Sequence, residues 1–258
     1  MKTTGEYMFR PQGIVHFVGA GPGSADLLTQ RAVRALTMAD VVVHDRLVTG
    51  EILDLIPPGT RRIDVGKEGF GPSTSQDSIN QTLVFEARAG HFVVRLKSGD
   101  PAIFGRLDEE IETLEAADID WQIVPGLTSA SAAAAAIGQS LTARGRNTAL
   151  TFLTGHDMQG FAEHDWRTLA RPGAVAAIYM GKRAARLIQG RLMMHGAAPD
   201  TPVTLVENAS RTDQRILAST LARLPADVAS LQGPAILLFG LAPRAAAHAL
   251  HSMKEATQ

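Results

Sequence analysis

At 258 residues the chain is long enough for one large domain or two smaller ones, and 25 basic against 26 acidic residues leave it close to neutral. That balance argues against a general nucleic-acid binder, whose affinity rests on many Lys and Arg contacts to phosphate, and the lack of cysteine excludes disulfides, thiolate metal sites and a thiol nucleophile. Residues 1–12 mix charged and polar side chains without the apolar stretch of a secretion signal, and no apolar run reaches the roughly 20 residues of a membrane span, so a cytoplasmic protein without membrane contact is expected.

From residue 15 onward strand and helix patterns alternate, which predicts an α/β fold on a parallel sheet with crossover helices. The β-branched run 15–18 is the first strand and leads into Val18-Gly19-Ala20-Gly21-Pro22-Gly23-Ser24. Ser24 is placed to cap a helix in which Leu28, Ala32, Ala35 and Leu36 recur at helical spacing. Val41, Val42 and Val43 form a second strand ending on His44-Asp45-Arg46, and Ile63-Asp64-Val65 a third, with Lys67 just beyond it. Ser75 can cap a helix carrying Ile79, Leu83, Val84 and Ala87 on one face, closed by Gly90. The run 92–96 is the next strand and delivers Lys97-Ser98-Gly99-Asp100-Pro101-Ala102-Ile103-Phe104-Gly105-Arg106.

Gln122-Ile123-Val124 then runs into Pro125-Gly126 and an alanine-rich helix over 128–137, and a domain junction is expected there. The division is an N-terminal α/β domain over 13–124 and a C-terminal one over 125–243, with 1–12 and 244–258 as extensions. In the second half 150–154, 175–180, 203–206 and 235–239 read as strands, and 183–195 and 221–231 as helical segments.

Both glycine-rich turns thus stand at the carboxyl ends of strands, where open α/β sheets bind ligands. Glycine permits a sharp turn or a close approach of backbone to ligand, so the pair predicts one small-molecule site. The first turn lacks the Gly-Lys-Ser/Thr of a phosphate-binding loop, and Ser24 stands where a dinucleotide fingerprint has its third glycine. Pro22 also removes an N–H that would cradle pyrophosphate. Asp100 is either a carboxylate for ligand N–H and hydroxyl groups or a turn former before Pro101. Asp45 is either a group of the same crevice or a solvated strand-end acid, and Lys67 lies near the first loop if 63–65 is the neighbouring strand. The histidines lack the paired spacing of a metal site, and there is no Gly-x-Ser-x-Gly elbow of a serine hydrolase.

A series of segments in fixed order goes further: Val18-Gly19-Ala20-Gly21-Pro22-Gly23, Val42-Val43-His44-Asp45-Arg46-Leu47, Asp64-Val65-Gly66-Lys67, Arg95-Leu96-Lys97-Ser98-Gly99-Asp100-Pro101 and Val124-Pro125-Gly126-Leu127-Thr128-Ser129. Thr154-Gly155-His156, Tyr179-Met180-Gly181-Lys182, Val206-Glu207-Asn208-Ala209-Ser210 and Gly233-Pro234-Ala235 follow. Over 15–241 the chain resembles the tetrapyrrole methylases. The resemblance implies two α/β domains with S-adenosylmethionine in the cleft between them, a homodimer, and no metal. It implies methylation of two pyrrole rings of uroporphyrinogen III, through precorrin-1 to precorrin-2, with S-adenosylhomocysteine as the by-product, for cobalamin, sirohaem or another tetrapyrrole. Carried over residue by residue, it sets the cofactor against Pro22, Ser98, Gly99, Asp100, Ile103, Thr128, Ser129, Met180 and Ala209. Asp45 becomes the proton acceptor and Lys67 the proton donor. Two departures are visible: Lys97-Ser98-Gly99-Asp100 where the family has Lys-Gly-Gly-Asp, and Ala209 where some relatives carry Gly.

Uroporphyrinogen is rich in carboxylates, so a near-neutral chain must concentrate positive charge where they bind. Arg46, Lys97 and Arg106 are the expected substrate contacts, out of a wider set with Arg95, Arg144, Arg146 and Lys182 at strand ends and loops; the remainder are ordinary surface charge. Because the resemblance fills nearly the whole chain, no separate NAD-binding domain is expected within it. The competing readings are a sister methylase acting on another precorrin, an NAD-dependent dehydrogenase, and a noncatalytic adenosyl-ligand sensor.

Overall fold

Valine-rich runs with alternating contacts on two faces account for the first sheet. The computed structural model describes residues 13–66, 75–157 and 160–244. The chain divides into two units between Thr128 and Ser129. The first contains β1 (Ile14–Gly19), α1 (Gln30–Met38), β2 (Val41–His44), α2 (Gly50–Leu53), β3 (Arg61–Asp64), α3 (Gln76–Arg88), β4 (Phe92–Lys97), α4 (Leu107–Ala116) and β5 (Asp120–Val124). Its strands lie in the order β3-β2-β4-β1-β5 and every neighbouring pair is parallel.

Successive residues of a strand face opposite sides of the sheet. Val18, Val42, Val94 and Leu96 therefore pack with Ala32, Leu36 and Ile52 of α1 and α2. Val15, Phe17, Val41, Val43 and Val93 pack with Ile79, Leu83, Leu107 and Leu114 of α3 and α4. Helices cover both faces, which is the condition under which parallel strands become nearly continuous apolar runs.

Of the two serines expected to cap helices, only one does so. Ser75 caps α3 by accepting from the Ser78 N–H at 3.1 Å, with Ile79, Leu83 and Ala87 buried. Ser24 does not cap α1. It precedes a single 3-10 turn, Ala25–Leu27, without a capping bond, and α1 starts later, where Thr29 accepts from the Ala32 N–H at 3.1 Å. Leu28 lies ahead of the helix and still packs against the core.

The second unit contains α5 (Ser129–Ala136), β6 (Thr151–Thr154), the short hairpin β7 (His156–Asp157) and β8 (Gly160–Phe161), α6 (Trp166–Leu169), β9 (Ala176–Tyr179), α7 (Gly181–Met194), β10 (Pro202–Glu207), β11 (Arg215–Thr220), α8 (Leu224–Val228) and β12 (Ala235–Phe239). Its main sheet runs β11-β10-β12-β9-β6. Only β6 and β9 pair in parallel; the other three pairings are antiparallel. The expectation of a parallel sheet therefore holds for the first unit and is corrected for the second, where β11 returns directly beside β10. One face packs α6, α7 and α8 against Leu205 and Leu237, and the other packs Ala130, Ala133 and Ile137 against Val206 and Leu238.

Candidate active site

Because all five strands of the first sheet point the same way, the segments leaving them collect at one edge: residues 20–24, 45–47, 65–66, 98–106 and 125–128. β1 and β4 are neighbours whose onward connections run to opposite sides, β1 toward β2 and β4 toward β5, which creates the crevice typical of ligand sites in such sheets. The two glycine turns meet there. Gly21 and Gly99 each donate an N–H to the other's carbonyl oxygen, at 3.1 and 2.8 Å, and both have φ of +70°.

Asp100 fastens this pair to the exit of β5. Its Oδ1 accepts from the Ala102 N–H at 2.8 Å and its Oδ2 from the Gly126 N–H at 3.0 Å. The turn-forming reading is thus realised, while a carboxylate keeps further lone pairs for a ligand. Gly126 makes the approach possible, since a Cβ there would stand 2.8 Å from the Gly19 Cα and overlap the Gly99 carbonyl oxygen. Farther along, Phe104 and Arg106 adopt φ of +50° and +53°. Such conformations cost of order 1–3 kcal/mol in non-glycine residues and concentrate at ligand sites.

Pro22, Ser98 and Ile103 are half-buried around this loop pair, as is Thr128 beyond Gly126. A side chain built at Gly99 would meet no atom within 4 Å, so the loop presents backbone to open space. The Ser98 hydroxyl has no hydrogen-bond partner among the described residues. A hydrogen-bonding ligand with apolar portions suits this lining of backbone, hydroxyl, Pro22 and Ile103; the described lining offers no exposed cation at the glycine pair for a phosphate.

Asp45 sits at the same edge, directly after β2. Its N–H donates to the Leu96 carbonyl oxygen at 3.2 Å, and its Oδ1 accepts from Arg95 Nη2 at 2.6 Å. Oδ2 makes no hydrogen bond to a described residue, and the side chain is 31% exposed. Arg95, expected among the substrate-facing cations, is instead 2% exposed. Its Nε donates to Glu110 Oε1 at 3.1 Å. Lys97, expected at a substrate carboxylate, is 3% exposed and its Nζ lies 2.8 Å from Glu110 Oε2. Burial pushes the Lys97 ammonium below its usual pKa, as does the Arg95 guanidinium, with Glu110 opposing both. For Arg95 burial also disfavours the charge, but the Asp45 and Glu110 carboxylates outweigh it and hold its pKa above the ordinary value.

Arg106 is exposed and grips Glu109 with two donors, Nε at 2.7 Å and Nη2 at 2.5 Å. Arg46 is exposed beside Asp45, and Gly66 lies against it so closely that a Cβ at Gly66 would stand 2.6 Å from the Arg46 N. Lys67 follows at once and lies outside the described residues. Of the other cations, Lys182 Nζ donates to the carbonyls of Leu231 and Gly233 at 2.9 and 2.7 Å, and Arg146 donates to Ser140 and Asn147. Both therefore serve their own unit.

In the second unit β9 and β10 are each antiparallel to β12 and so point alike, with β6 parallel to β9. The exits of these three strands share an edge that carries Gly155, Met180 and Ala209. Met180 has φ of +53° and 50% exposure at the start of α7. Ala209 is buried between Asn208 and Ser210, at φ of +50° and +67°, and belongs to the same apolar cluster as Ala130 and Ala133, just after Ser129. Glu207 holds the base of this loop by accepting from Arg215 Nη1 at 3.0 Å and from the Gly233 N–H. Among the described residues no group of three or more His, Asp or Glu could hold a metal ion, and no helix is long and apolar enough to cross a membrane.

Two residues that shape this edge were given no part in it by the sequence: Gly126, which admits the close approach of the loops, and Glu110, which pairs with Arg95 and Lys97. A signal for Glu110 was available: Arg95 and Lys97 alternate on one face of a strand buried on both sides, and buried cations call for a buried acid.

Comparison with known proteins is consistent with this geometry. The family of tetrapyrrole (corrin/porphyrin) methylases matches residues 15–225. Siroheme synthase 3 of Aeromonas hydrophila is 44% identical over 228 residues, covering 88% of this chain and 49% of that protein. Siroheme synthase of Methylococcus capsulatus is 46% identical over 231 residues, with 88% and 49% covered. The chain thus spans about half the length of the curated relatives it matches. Among solved structures, uroporphyrin-III C-methyl transferase from Thermus thermophilus, complexed with S-adenyl homocysteine, superimposes with a TM-score of 0.77 at 36% identity, covering 88% of this chain and 97% of that one. A cobalt precorrin-4 methyltransferase gives 0.79 at 27% identity, covering 88% and 94%.

Proposed function

The chain belongs to the tetrapyrrole methylases, and from that premise we propose that it is an S-adenosylmethionine-dependent C-methyltransferase acting on two pyrrole rings of uroporphyrinogen III, through precorrin-1 to precorrin-2. The observation that carries this reading is the half-buried Asp45 carboxylate beside the paired glycine loops, with one oxygen engaged by Arg95 and the other without a described partner. The similarity to the T. thermophilus enzyme supports both the substrate and the cofactor.

Bound S-adenosylmethionine supplies a methyl group on a positively charged sulfur, and its passage to a pyrrole carbon leaves a neutral thioether and a cationic ring system that must shed one proton. Pro22, Ser98, Gly99, Asp100, Ile103 and Thr128 of the first unit are the proposed cofactor contacts, with Ser129, Met180 and Ala209 of the second. Their task is alignment, since a well-oriented pair of reactants gains several kcal/mol over an encounter in solution. Asp45 accepts the proton, and Lys67 is the proposed donor. Arg46 and Arg106 face the substrate carboxylates. The Arg106–Glu109 pair is exposed and so is worth about 0–1 kcal/mol, which lets the guanidinium exchange Glu109 for a substrate carboxylate at little cost. Assembly as a cytoplasmic homodimer and delivery of product toward sirohaem or cobalamin belong to the same proposal.

Arg46→Ala separates the two ligands. Loss of one charge-assisted hydrogen bond is expected to raise KM for the tetrapyrrole by roughly 10-fold, while calorimetric titration with S-adenosylhomocysteine gives an unchanged Kd. Equal losses for both ligands would remove Arg46 from the substrate site.

A further inference from the structure

We propose that Glu110 is a positioning residue for methyl transfer: acting through Arg95 it sets the Asp45 carboxylate, and through Lys97 it ties that setting to the cofactor loop that starts at Ser98. This rests on the reading of Asp45 as proton acceptor.

Four charges form one continuous chain. Asp45 Oδ1 meets Arg95 at 2.6 Å, Arg95 meets Glu110 Oε1 at 3.1 Å, and Glu110 Oε2 meets Lys97 at 2.8 Å. Two acids and two bases balance, and of the four only Asp45 is substantially exposed. Glu110 itself is 0% exposed. Its Oε1 takes a further hydrogen bond from Gln76 at 3.1 Å, and Gln76 is anchored on Asn80 at 3.0 Å. The carboxylate is therefore fixed from α3, α4 and β4 together.

Stability alone gives no reason for this arrangement. The Coulomb attraction across each contact is set against the cost of taking the ions out of water. Apolar side chains of similar volume stabilise such positions as well or better. What the ion chain supplies instead is direction. Glu110 engages Arg95 at Nε and Nη2, while the Val43 and Leu96 carbonyl oxygens accept from Nη1 at 3.5 and 3.4 Å, so the guanidinium is held against Asp45 with Glu110 as its buried counter-charge. Lys97, two residues along β4, points to the same face and immediately precedes Ser98. Glu110 therefore stands behind both the cation that sets the proton acceptor and the cation just ahead of the cofactor loop, whose own shape is held by the Gly21–Gly99 and Asp100–Gly126 contacts.

The test compares the full chain with Glu110→Gln, Asp45→Asn and the double variant, measuring kcat, KM for each substrate and Kd for S-adenosylhomocysteine. Glu110→Gln is expected to lower kcat roughly 10- to 100-fold, as misplacing a reacting group by an ångström does. Its Kd for S-adenosylhomocysteine stays within about twofold, since the Gly21–Gly99 and Asp100–Gly126 contacts are untouched. The double variant is no slower than Asp45→Asn alone, because a residue acting through Asp45 has nothing left to position. A wild-type kcat for Glu110→Gln, or losses that multiply in the double variant, overturns the proposal. If Asp45→Asn itself turns over like wild type, the proton-acceptor reading has failed; if Asp45→Asn is slow and Glu110→Gln is not, only the role of Glu110 has. Should the lone Gln leave Lys97 unpaired and the protein unfolded, Glu110→Gln with Lys97→Met removes the stranded cation. That variant is expected to fold with the same lowered kcat, and a wild-type kcat in it equally overturns the proposal.

Discussion

Asp45→Asn lowers turnover by roughly 100- to 10,000-fold, the range that a positioned general base contributes, and leaves S-adenosylhomocysteine affinity within about twofold. Asparagine has the same shape and retains an oxygen for Arg95, so geometry is preserved while the proton-accepting carboxylate is removed. Arg95 keeps Glu110 as a partner at 3.1 Å, and the buried guanidinium is not left without a counter-charge. The fold therefore survives and the loss falls on kcat. Steady-state rates paired with a cofactor titration check this, and an unchanged rate would exclude Asp45 as the base.

The second large effect is structural. Gly126→Ala forces a methyl group toward the Gly19 Cα, 2.8 Å from its ideal position, and into the Gly99 carbonyl oxygen. Both obstacles are backbone, with no flexible side chain to give way. Relief requires β5 to move off β1, which breaks the 3.0 Å bond from Gly126 to Asp100 and disturbs the Gly21–Gly99 pair. Overpacking of this kind costs about 1–3 kcal/mol, with the upper end expected where only backbone can yield. The expected result is a lowered denaturation midpoint together with at least a roughly 10-fold weaker Kd for S-adenosylhomocysteine, since a 1.4 kcal/mol loss at the site already gives that factor. Wild-type values for both would show that the three loops are not locked together.

Much of the first unit was legible in the sequence because β1, β2 and β4 are short valine-rich runs, which a sheet covered on both faces demands. The loop positions followed from that, and with them Asp45 and the paired glycines. The second unit was harder to read. β11, Arg215–Thr220, is half-exposed and carries Arg, Ser and Thr among its apolar residues, so no unbroken apolar run announced it, and without it the sheet looked parallel. Ser24 was a sound cap by residue type, but Pro22 and Gly23 lead first into a 3-10 turn, and the helix waits for Thr29.

In the candidate site the sequence misjudged where some charges point. Arg95 and Lys97 stand at the end of a strand, where cations are normally solvated, yet both are turned inward by Glu110 from the helix α4 that starts at Leu107. That pairing is a product of α4 packing beside β4, which only the tertiary structure supplies. The same packing gives Asp45 its orientation, so the chemistry expected of Asp45 depends on a residue that no local motif identifies.

The most direct test of the account is to incubate the purified chain with uroporphyrinogen III and methyl-labelled S-adenosylmethionine and to count the methyl groups on the product by mass spectrometry. Two labelled methyl groups per tetrapyrrole, with two S-adenosylhomocysteines released, is the predicted result. No transfer to uroporphyrinogen III, with transfer to a different precorrin or to no tetrapyrrole at all, would contradict it.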